Sequence, residues 1–177
     1  AATRNIAEVK GSTLKISQYD CDDERAINRT VTIELPREVA ENMVGITASV
    51  ESGDLTFTGI ACRDLDVTLG SGDVEFTGAV TDTLSAEVGL GDVTFDLNQA
   101  PAKSMDVTVG SGDAEITVPN STGVKASLTV GCGDFESDFL PDGYDGEMVS
   151  NLDFDNGDKS AAYRFEVGAG DMSFDSE

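Results

Sequence analysis

The segment LDVTLGSGDVEFTG (65–78) carries the pattern from which the fold can be inferred. Apolar and polar residues alternate on both sides of a Gly-Ser-Gly-Asp corner. Val67 and Leu69 stand before the corner, and Val74 and Phe76 after it. A period of two with one polar face is typical of a half-buried β-strand and not of a helix. The segment therefore predicts two strands joined by a sharp bend.

The same unit occurs six times along the chain. The other copies are ITASVESGDLTFTG (46–59), LSAEVGLGDVTFDL (84–97), MDVTVGSGDAEITV (105–118), ASLTVGCGDFESDF (126–139) and YRFEVGAGDMSFDS (163–176). The corner aspartates are spaced by 19, 19, 21, 21 and 37 residues. Repeats of this length are typical of proteins in which each unit buries its apolar face against its neighbours.

Two all-β architectures fit this repeat. In a single-domain β-solenoid, each GxGD unit of about 20 residues is one coil, and equivalent residues stack about 4.8 Å apart. In an antiparallel β-meander or sandwich, each GxGD is a hairpin loop, and Leu69 lies opposite Val74. The near-identity of the units favours the solenoid, because every coil then meets the same neighbours above and below.

The glycine directly before each corner aspartate is expected to have a structural role. It supplies either a positive φ or room for neighbouring backbone at the bend. These glycines are Gly53, Gly72, Gly91, Gly112, Gly133 and Gly170. The residue between the two glycines is mostly small, and Cys132 occupies this place in the fifth unit. This predicts a tight, partly buried corner.

We expect one β-repeat domain over residues 1–177. Its parts are N-terminal capping strands (1–45), five regular GxGD repeats (46–139), a degenerate coil or excursion (140–162) and the last repeat (163–177). Within the first part, the sequence predicts strands at 5–11, 12–20 and 30–36, and a short turn or helix at 36–43. A capping role is expected because terminal repeats of solenoids must cover an open end of the core.

The composition excludes several classes of partner and site. The chain has 34 acidic and 11 basic residues, a formal net charge of −23, and no His. Nucleic acids and anionic membrane surfaces require Lys and Arg clusters, so neither is an expected partner. Apolar runs are only a few residues long, so this segment is not expected to insert into a membrane. The lack of His removes the commonest general base and metal ligand.

The cysteines indicate neither a zinc site nor a disulfide framework. Cys21, Cys62 and Cys132 are an odd number without a CxxC pair. Three isolated, small apolar residues are the favoured interpretation. A disulfide between Cys21 and Cys62 is the alternative.

In a solenoid the corner aspartates form a ladder of carboxylates about 5 Å apart. The ladder is Asp54, Asp73, Asp92, Asp113 and Asp134. Repulsion at this spacing must be relieved by backbone N–H groups or by cations. We favour a structural cap in which each carboxylate accepts an N–H of its own turn. Calcium is the weaker hypothesis, because calcium-binding nonapeptide repeats place Asp two residues after Gly at about half this spacing. We expect no cofactor.

Carboxylates about 5 Å apart also suit retaining glycoside hydrolysis. A catalytic site, however, breaks the symmetry of a repeat at one place, whereas these acidic residues are uniform along the array. No nucleophile–base pair can be named either. We therefore expect no enzymatic activity, with a polysaccharide-acting β-helix enzyme as the remote alternative.

A strand ending in Leu35-Pro36, followed by the units ITASVESGDLTF and LDVTLGSGDVEF, resembles a bacterial adhesin-type family. This is a domain of unknown function with serial SGD β-helix repeats, distantly similar to the head-GIN and bactofilin-type β-helices. The resemblance covers residues 30–139 well and implies a β-helix-like fold and an extracytoplasmic location. It also implies tethering to the membrane or cell wall through a further segment, and Ala1 in place of an initiator Met favours such a segment upstream. It supplies no active-site motif.

The resulting hypothesis is a non-catalytic surface or adhesion-type module, with either a binding or a structural role. Its partner would be a protein or glycan at the cell surface, or a second copy of the chain. A self-assembling envelope scaffold is the alternative from a different functional class.

Overall fold

The structure is a computed structural model, and it describes residues 4–19, 30–120, 122–139, 152–156 and 161–177. The described residues contain one helix, α1 (Arg37–Ala40), and otherwise strands and their connections. None of the described helical residues forms a helix long and apolar enough to cross a membrane.

Contacts divide the chain into two compact units, Ala1–Glu34 and Leu35–Glu177. The first unit contains the antiparallel hairpin of β1 (Arg4–Lys10) and β2 (Thr13–Tyr19). The strands predicted at 5–11 and 12–20 are thereby confirmed. That residues 1–45 cap the solenoid stays a prediction.

The predicted strand at 30–36 is wrong. These residues form no regular element and pair with no described strand. Val31 and Ile33 are 45% and 52% exposed, so their alternation buries no face. The short helix expected within 36–43 is confirmed as α1.

The second unit is a parallel solenoid of eleven described strands. They are β3 (Met43–Val50), β4 (Leu55–Ser71), β5 (Val74–Leu90), β6 (Val93–Gln99), β7 (Ser104–Ser111), β8 (Ala114–Val118), β9 (Val124–Cys132), β10 (Phe135–Glu136), β11 (Leu152–Asn156), β12 (Ala162–Ala169) and β13 (Met172–Ser176). Each GxGD repeat forms one coil, with one strand segment before its corner and one after it. We number the coils 1 to 6 in sequence order.

The strand register confirms the solenoid and shows that the meander alternative is wrong. Leu69 pairs in parallel with Val50 of coil 1 and with Val88 of coil 3. Its sequence neighbour across the corner, Val74, pairs instead with Leu55 and Val93. Equivalent residues of successive coils are therefore stacked, as the near-identity of the repeats predicts.

The coils stack in the order 1-2-3-4-6-5, which differs from their order in the sequence. Strand β12 of coil 6 lies between β7 of coil 4 and β9 of coil 5. Strand β13 of coil 6 likewise lies between β8 and β10. Coils 4 and 5 are consecutive in sequence, yet no described strand of one pairs with a strand of the other.

Part of the expected degenerate coil or excursion at 140–162 forms β11. This strand pairs antiparallel with β9, on the side of β9 away from coil 6. Residues 140–151 and 157–160 lie outside the described residues. The segment is therefore an excursion at least over 152–156, where it covers the outer edge of β9.

The inward residues of all six coils form one continuous apolar core. Val67, Phe76 and Val107 are each at most 2% exposed, and no buried residue among those described is polar or charged. Phenylalanine rings of successive coils contact each other in tilted pairs, with centroids 6.0 Å apart for Phe57 and Phe76 and 6.2 Å apart for Phe76 and Phe95. The alternation seen in the sequence therefore assigns the core correctly.

Candidate functional site

The first glycine of each corner lies against the backbone of the preceding coil in the stack. A Cβ built on Gly70 would lie 2.5 Å from the carbonyl oxygen of Glu51, and one on Gly110 would lie 2.5 Å from that of Gly89. Real side chains do not fit at this distance. Coil 1 carries Glu51 at the equivalent place, and coil 1 is the end coil of the described stack. The one repeat without this glycine is thus the one without a described coil beneath it.

The second glycine of the corner combines a positive φ with close approach. At Gly72, φ is 126°, and a Cβ would lie 2.5 Å from the carbonyl oxygen of Gly53. Each of the six predicted glycines has a positive φ. In coils 2 to 6, the corner backbones therefore stack too closely for any side chain at these two columns.

The prediction of a partly buried corner is wrong at the residue between the two glycines. Cys132 is exposed, and Leu90 at the equivalent place is 58% exposed. The bend turns this side chain away from the core, so the small residues found here do not reflect burial.

The buried cysteine is Cys62, which is a free thiol. Cys21, its partner in the alternative disulfide, lies outside the described part of the chain, so that pairing stays a hypothesis. Burial, and secondarily the charge of Asp64, raises the pKa of Cys62 to about 11. A thiol of this kind stays protonated near neutral pH and is a poor nucleophile.

The corner aspartates form a hydrogen-bonded ladder along the stack. In coils 2 to 6, the backbone N–H of the corner aspartate donates to a carboxylate oxygen of its equivalent in the preceding coil of the stack. The N···Oδ1 distances are 3.2 Å (Asp73 to Asp54), 3.0 Å (Asp92 to Asp73), 2.9 Å (Asp113 to Asp92), 2.8 Å (Asp171 to Asp113) and 2.9 Å (Asp134 to Asp171). A charge-assisted N–H bond therefore lies between each pair of like charges.

Two details of this ladder differ from the sequence analysis. Each carboxylate accepts from the next coil and not from its own turn, because the N–H groups at this corner point along the stack. Asp171 is also a rung, between Asp113 and Asp134, although its place could not be inferred from sequence order. Among the described residues, no group of three or more His, Cys, Asp or Glu side chains is placed to hold a metal ion.

Two columns of outward residues alternate between hydroxyl and carboxylate groups, except that Ser49 and Thr68 are neighbouring hydroxyls at the coil 1 end. We define the post-corner face by the column Thr56, Glu75, Thr94, Glu115, Ser173 and Glu136, in stack order. We define the pre-corner face by the column Ser49, Thr68, Glu87, Thr108, Glu166 and Thr129. Like charges directly opposite each other destabilise a sheet, and this pattern places the glutamates two coils, or about 10 Å, apart.

The alternation on the post-corner face depends on the inserted position of coil 6. In sequence order, Glu115 of coil 4 and Glu136 of coil 5 would be neighbours. Ser173 of coil 6 lies between them in the structure. The same insertion places Arg164 beside Asp106. The surface charge pattern is thus matched to the order 4-6-5.

A cluster of two basic and two acidic side chains lies on the side of the coils away from the GxGD corner. The Lys103 ammonium lies 2.7 Å from the Asp82 carboxylate, and Arg63 Nε lies 3.0 Å from Asp64. Thr83 donates a hydrogen bond of 2.8 Å to Asp64. This bond, followed by the bond and charge of Arg63, lowers the pKa of Asp64. This cluster could not be inferred from the sequence, because its members lie on three different connections between coils.

Comparison with known protein families matches residues 3–176 to Toastrack DUF4097, a family of uncharacterised domains. Searches of curated proteins and of solved structures returned no significant match. The family match covers nearly the whole chain, including the hairpin, all six GxGD coils and β11. The chain belongs to the Toastrack DUF4097 family.

Proposed function

We propose that this chain is a non-catalytic, extracytoplasmic module that binds or organises a partner through its outward strand faces. The observation that carries the proposal is the regular alternation of hydroxyl and carboxylate groups on the post-corner and pre-corner faces. Six coils at about 4.8 Å give each face a length of about 24 Å. A rigid, periodic surface of this kind suits an extended partner better than a small substrate.

The chemistry of the faces indicates the class of partner. Carboxylates and hydroxyls both accept hydrogen bonds, and hydroxyls also donate them. With a net charge of −23, the chain favours a cationic protein segment or a polyhydroxylated glycan. Protein and glycan partners at a cell surface are also those expected from the sequence.

The distribution of acidic groups supports a non-catalytic role over a polysaccharide-acting enzyme. The corner carboxylates have equivalent partners and distances along the whole ladder. Catalytic pairs need unlike environments, which give one group the role of acid and the other that of base or nucleophile. The thiol of Cys62 is buried and protonated, which makes it unsuitable as a nucleophile.

The ends of the stack favour binding over end-to-end assembly. A coil added beneath coil 1 would bring its own carbonyl oxygen against the side chain of Glu51, at the place where coils 2 to 6 have glycine. At the other end, the antiparallel strand β11 occupies the outer edge of β9. Both features disfavour the addition of a parallel coil from another molecule at these places.

The binding proposal is tested with two matched double variants. Glu75→Gln with Glu115→Gln removes two of the three glutamates of the post-corner face, and Glu87→Gln with Glu166→Gln removes both glutamates of the pre-corner face. Retention of the chain by isolated cell-envelope glycan and envelope protein is measured at low and high salt. We expect salt-sensitive retention that one double variant reduces and the other leaves unchanged. Equal retention of both double variants and the unsubstituted chain would contradict the proposal.

The proposed location is tested with the exposed thiol of Cys132. In a Cys21→Ser background, a membrane-impermeant maleimide is added to intact cells that produce the chain. Cys132 is exposed and Cys62 is buried, so labelling reports on Cys132. We expect labelling without lysis that disappears in Cys132→Ser. Labelling only after lysis would place the chain in the cytoplasm and would contradict the proposed location.

A further inference from the structure

Coil 1 differs from the other five coils in charge. Its two strand segments, 43–50 and 55–58, contain no charged residue, and its charges are confined to the corner, at Glu51 and Asp54. Each strand segment of coils 2 to 6 carries at least one charged residue, namely Asp66, Glu75, Glu87, Asp96, Asp106, Glu115, Lys125, Glu136, Glu166 and Asp175. In a chain with a net charge of −23, one end of the described stack is therefore formed by uncharged strands.

The uncharged coil also has an edge that no described strand covers. Of the described strands, only β4 pairs with β3. The inward residues of coil 1 are partly buried, whereas their equivalents in coil 2 are at most 2% exposed; the pairs are Ile46 and Leu65, Val50 and Leu69, Leu55 and Val74, and Phe57 and Phe76. Proteins usually protect exposed strand edges with charges, so an uncharged edge beside apolar residues indicates a surface for strand pairing.

The free edge of β3 favours an antiparallel occupant. A parallel coil would bring its corner against Glu51, at the place where coils 2 to 6 have glycine. At the other end of the stack, β11 covers β9 in the antiparallel direction. A second copy of β3, paired about Ala48, meets this requirement and keeps inward residues opposite inward residues. Ile46 then lies opposite Val50, and Thr47 lies opposite Ser49.

The distribution of charge favours a second copy of β3 as this occupant. Like charges directly opposite each other destabilise a sheet, and β3 brings none to the pairing. The same register places Glu51 opposite Gly45, which has no side chain. The two copies of Glu51 are separated by the length of 45–51, or about 20 Å, which exceeds the screening length of about 8–10 Å in physiological salt.

We propose that two copies of this chain associate through their coil 1 ends, with β3 of one paired antiparallel to β3 of the other about a twofold axis at Ala48. The contact covers the partly buried inward residues of both coils. A twofold contact uses the same surface of both copies and is closed, so it gives a dimer and not a filament. The inference goes beyond the proposed function and does not depend on what binds the outward faces.

The test changes the charge of β3 in the full chain and measures association by sedimentation equilibrium under reducing conditions. Thr47→Lys with Ser49→Lys places two pairs of like charges opposite each other in the dimer, whereas both positions are exposed in a single copy. We expect a dimer of the unsubstituted chain and a Kd raised at least about tenfold in this variant. Thr47→Glu with Ser49→Glu should weaken association in the same way. An equimolar mixture of the Lys and Glu variants should restore the dimer as a heterodimer, because opposite charges then face each other.

Two exposed threonines on interior coils supply the control. Thr68→Lys with Thr108→Lys makes the same change in net charge away from β3, and it should leave the Kd unchanged. Circular dichroism of every variant excludes loss of the fold as the cause of a monomer. An unsubstituted chain that stays monomeric, or a dimer that the β3 variants leave intact, would overturn the proposal. A mixture of folded Lys and Glu variants that remains monomeric would overturn it as well.

Discussion

A methyl group added at Gly110 should destabilise the solenoid, although the position is exposed and its backbone is extended. The Cβ of Gly110→Ala would lie 2.5 Å from the carbonyl oxygen of Gly89, whereas real Cβ contacts are at least 3.0 Å. Coils 3 and 4 must therefore separate by at least 0.5 Å at this corner. The neighbouring atom belongs to backbone, so no side-chain rotation can relieve the contact.

The hydrogen bonds around this corner set the magnitude. Gly91 N to Ser111 O, Val93 N to Asp113 O and Asp113 N to Asp92 Oδ1 are each 2.9 Å. A displacement of 0.5 Å takes all three beyond the usual range of about 2.7–3.2 Å. At about 1 kcal/mol each, the loss is about 3 kcal/mol. The smaller unfolded-state entropy of Ala offsets about 0.5–1 kcal/mol of this.

The expected net loss for Gly110→Ala is about 2 kcal/mol in the free energy of unfolding. For a chain of this size, that corresponds to a decrease of about 4–8 °C in Tm, measured by circular dichroism. Glu51→Ala is the matched control, since it places the same methyl group at the same repeat position without a described coil beneath. We expect a change within about 0.5 kcal/mol for the control. Equal stability of the two variants would refute the close-approach argument.

Four further outcomes follow from the core, the ladder and the titrating groups. Val107→Asp should prevent folding, because an unpaired buried carboxylate costs several kcal/mol; a folded variant of unchanged Tm would contradict the core assignment. Asp92→Ala should lower the free energy of unfolding, measured in urea, by about 1 kcal/mol, whereas Asp92→Asn keeps an acceptor and should lower it less. The Tm of the unsubstituted chain should be the same with calcium and with chelator. A calcium-dependent increase would favour a metal site. The pKa of Asp64 is lowered in the folded state, so its contribution to stability is present above the ordinary pKa of Asp and is lost as the pH falls through the folded value. The Tm difference between Asp64→Asn and the unsubstituted chain should therefore shrink between pH 7 and pH 2. A constant difference would contradict this. At pH 8 a maleimide should modify Cys132 and spare Cys62, whose pKa of about 11 and burial both disfavour reaction; equal rates would contradict the assignment.

The sequence was sufficient to predict the coils and their core, because both depend on local patterns. Alternation assigns Val107 and Phe165 to the interior, and the GxGD spacing assigns the corners. The stacking order was not predictable in this way. All six repeats present nearly the same edges, so register alone does not specify which coil neighbours which. The specific signal lies in the outward residues, where only the order 4-6-5 separates Glu115 from Glu136.

The site features that escaped prediction depend on contacts between coils. The acceptor for each Asp N–H lies on the neighbouring coil, so an isolated turn suggests the wrong partner. The exposure of Cys132 depends on the direction of the bend, which the small size of its equivalents does not specify. The outer faces were visible in the sequence only as polar alternation. Their columns of hydroxyl and glutamate side chains can be recognised only when the coils are placed in register.

The central claim is that coil 6 is inserted between coils 4 and 5. It is tested most directly by backbone nuclear Overhauser effects in the isotope-labelled chain. We predict contacts between Val107 and Phe165 and between Phe165 and Leu128, which are the parallel register partners. No contact is expected between Val107 and Leu128, which lie about 10 Å apart across the inserted strand. A direct contact between Val107 and Leu128 would show that the coils follow sequence order, and would contradict the account.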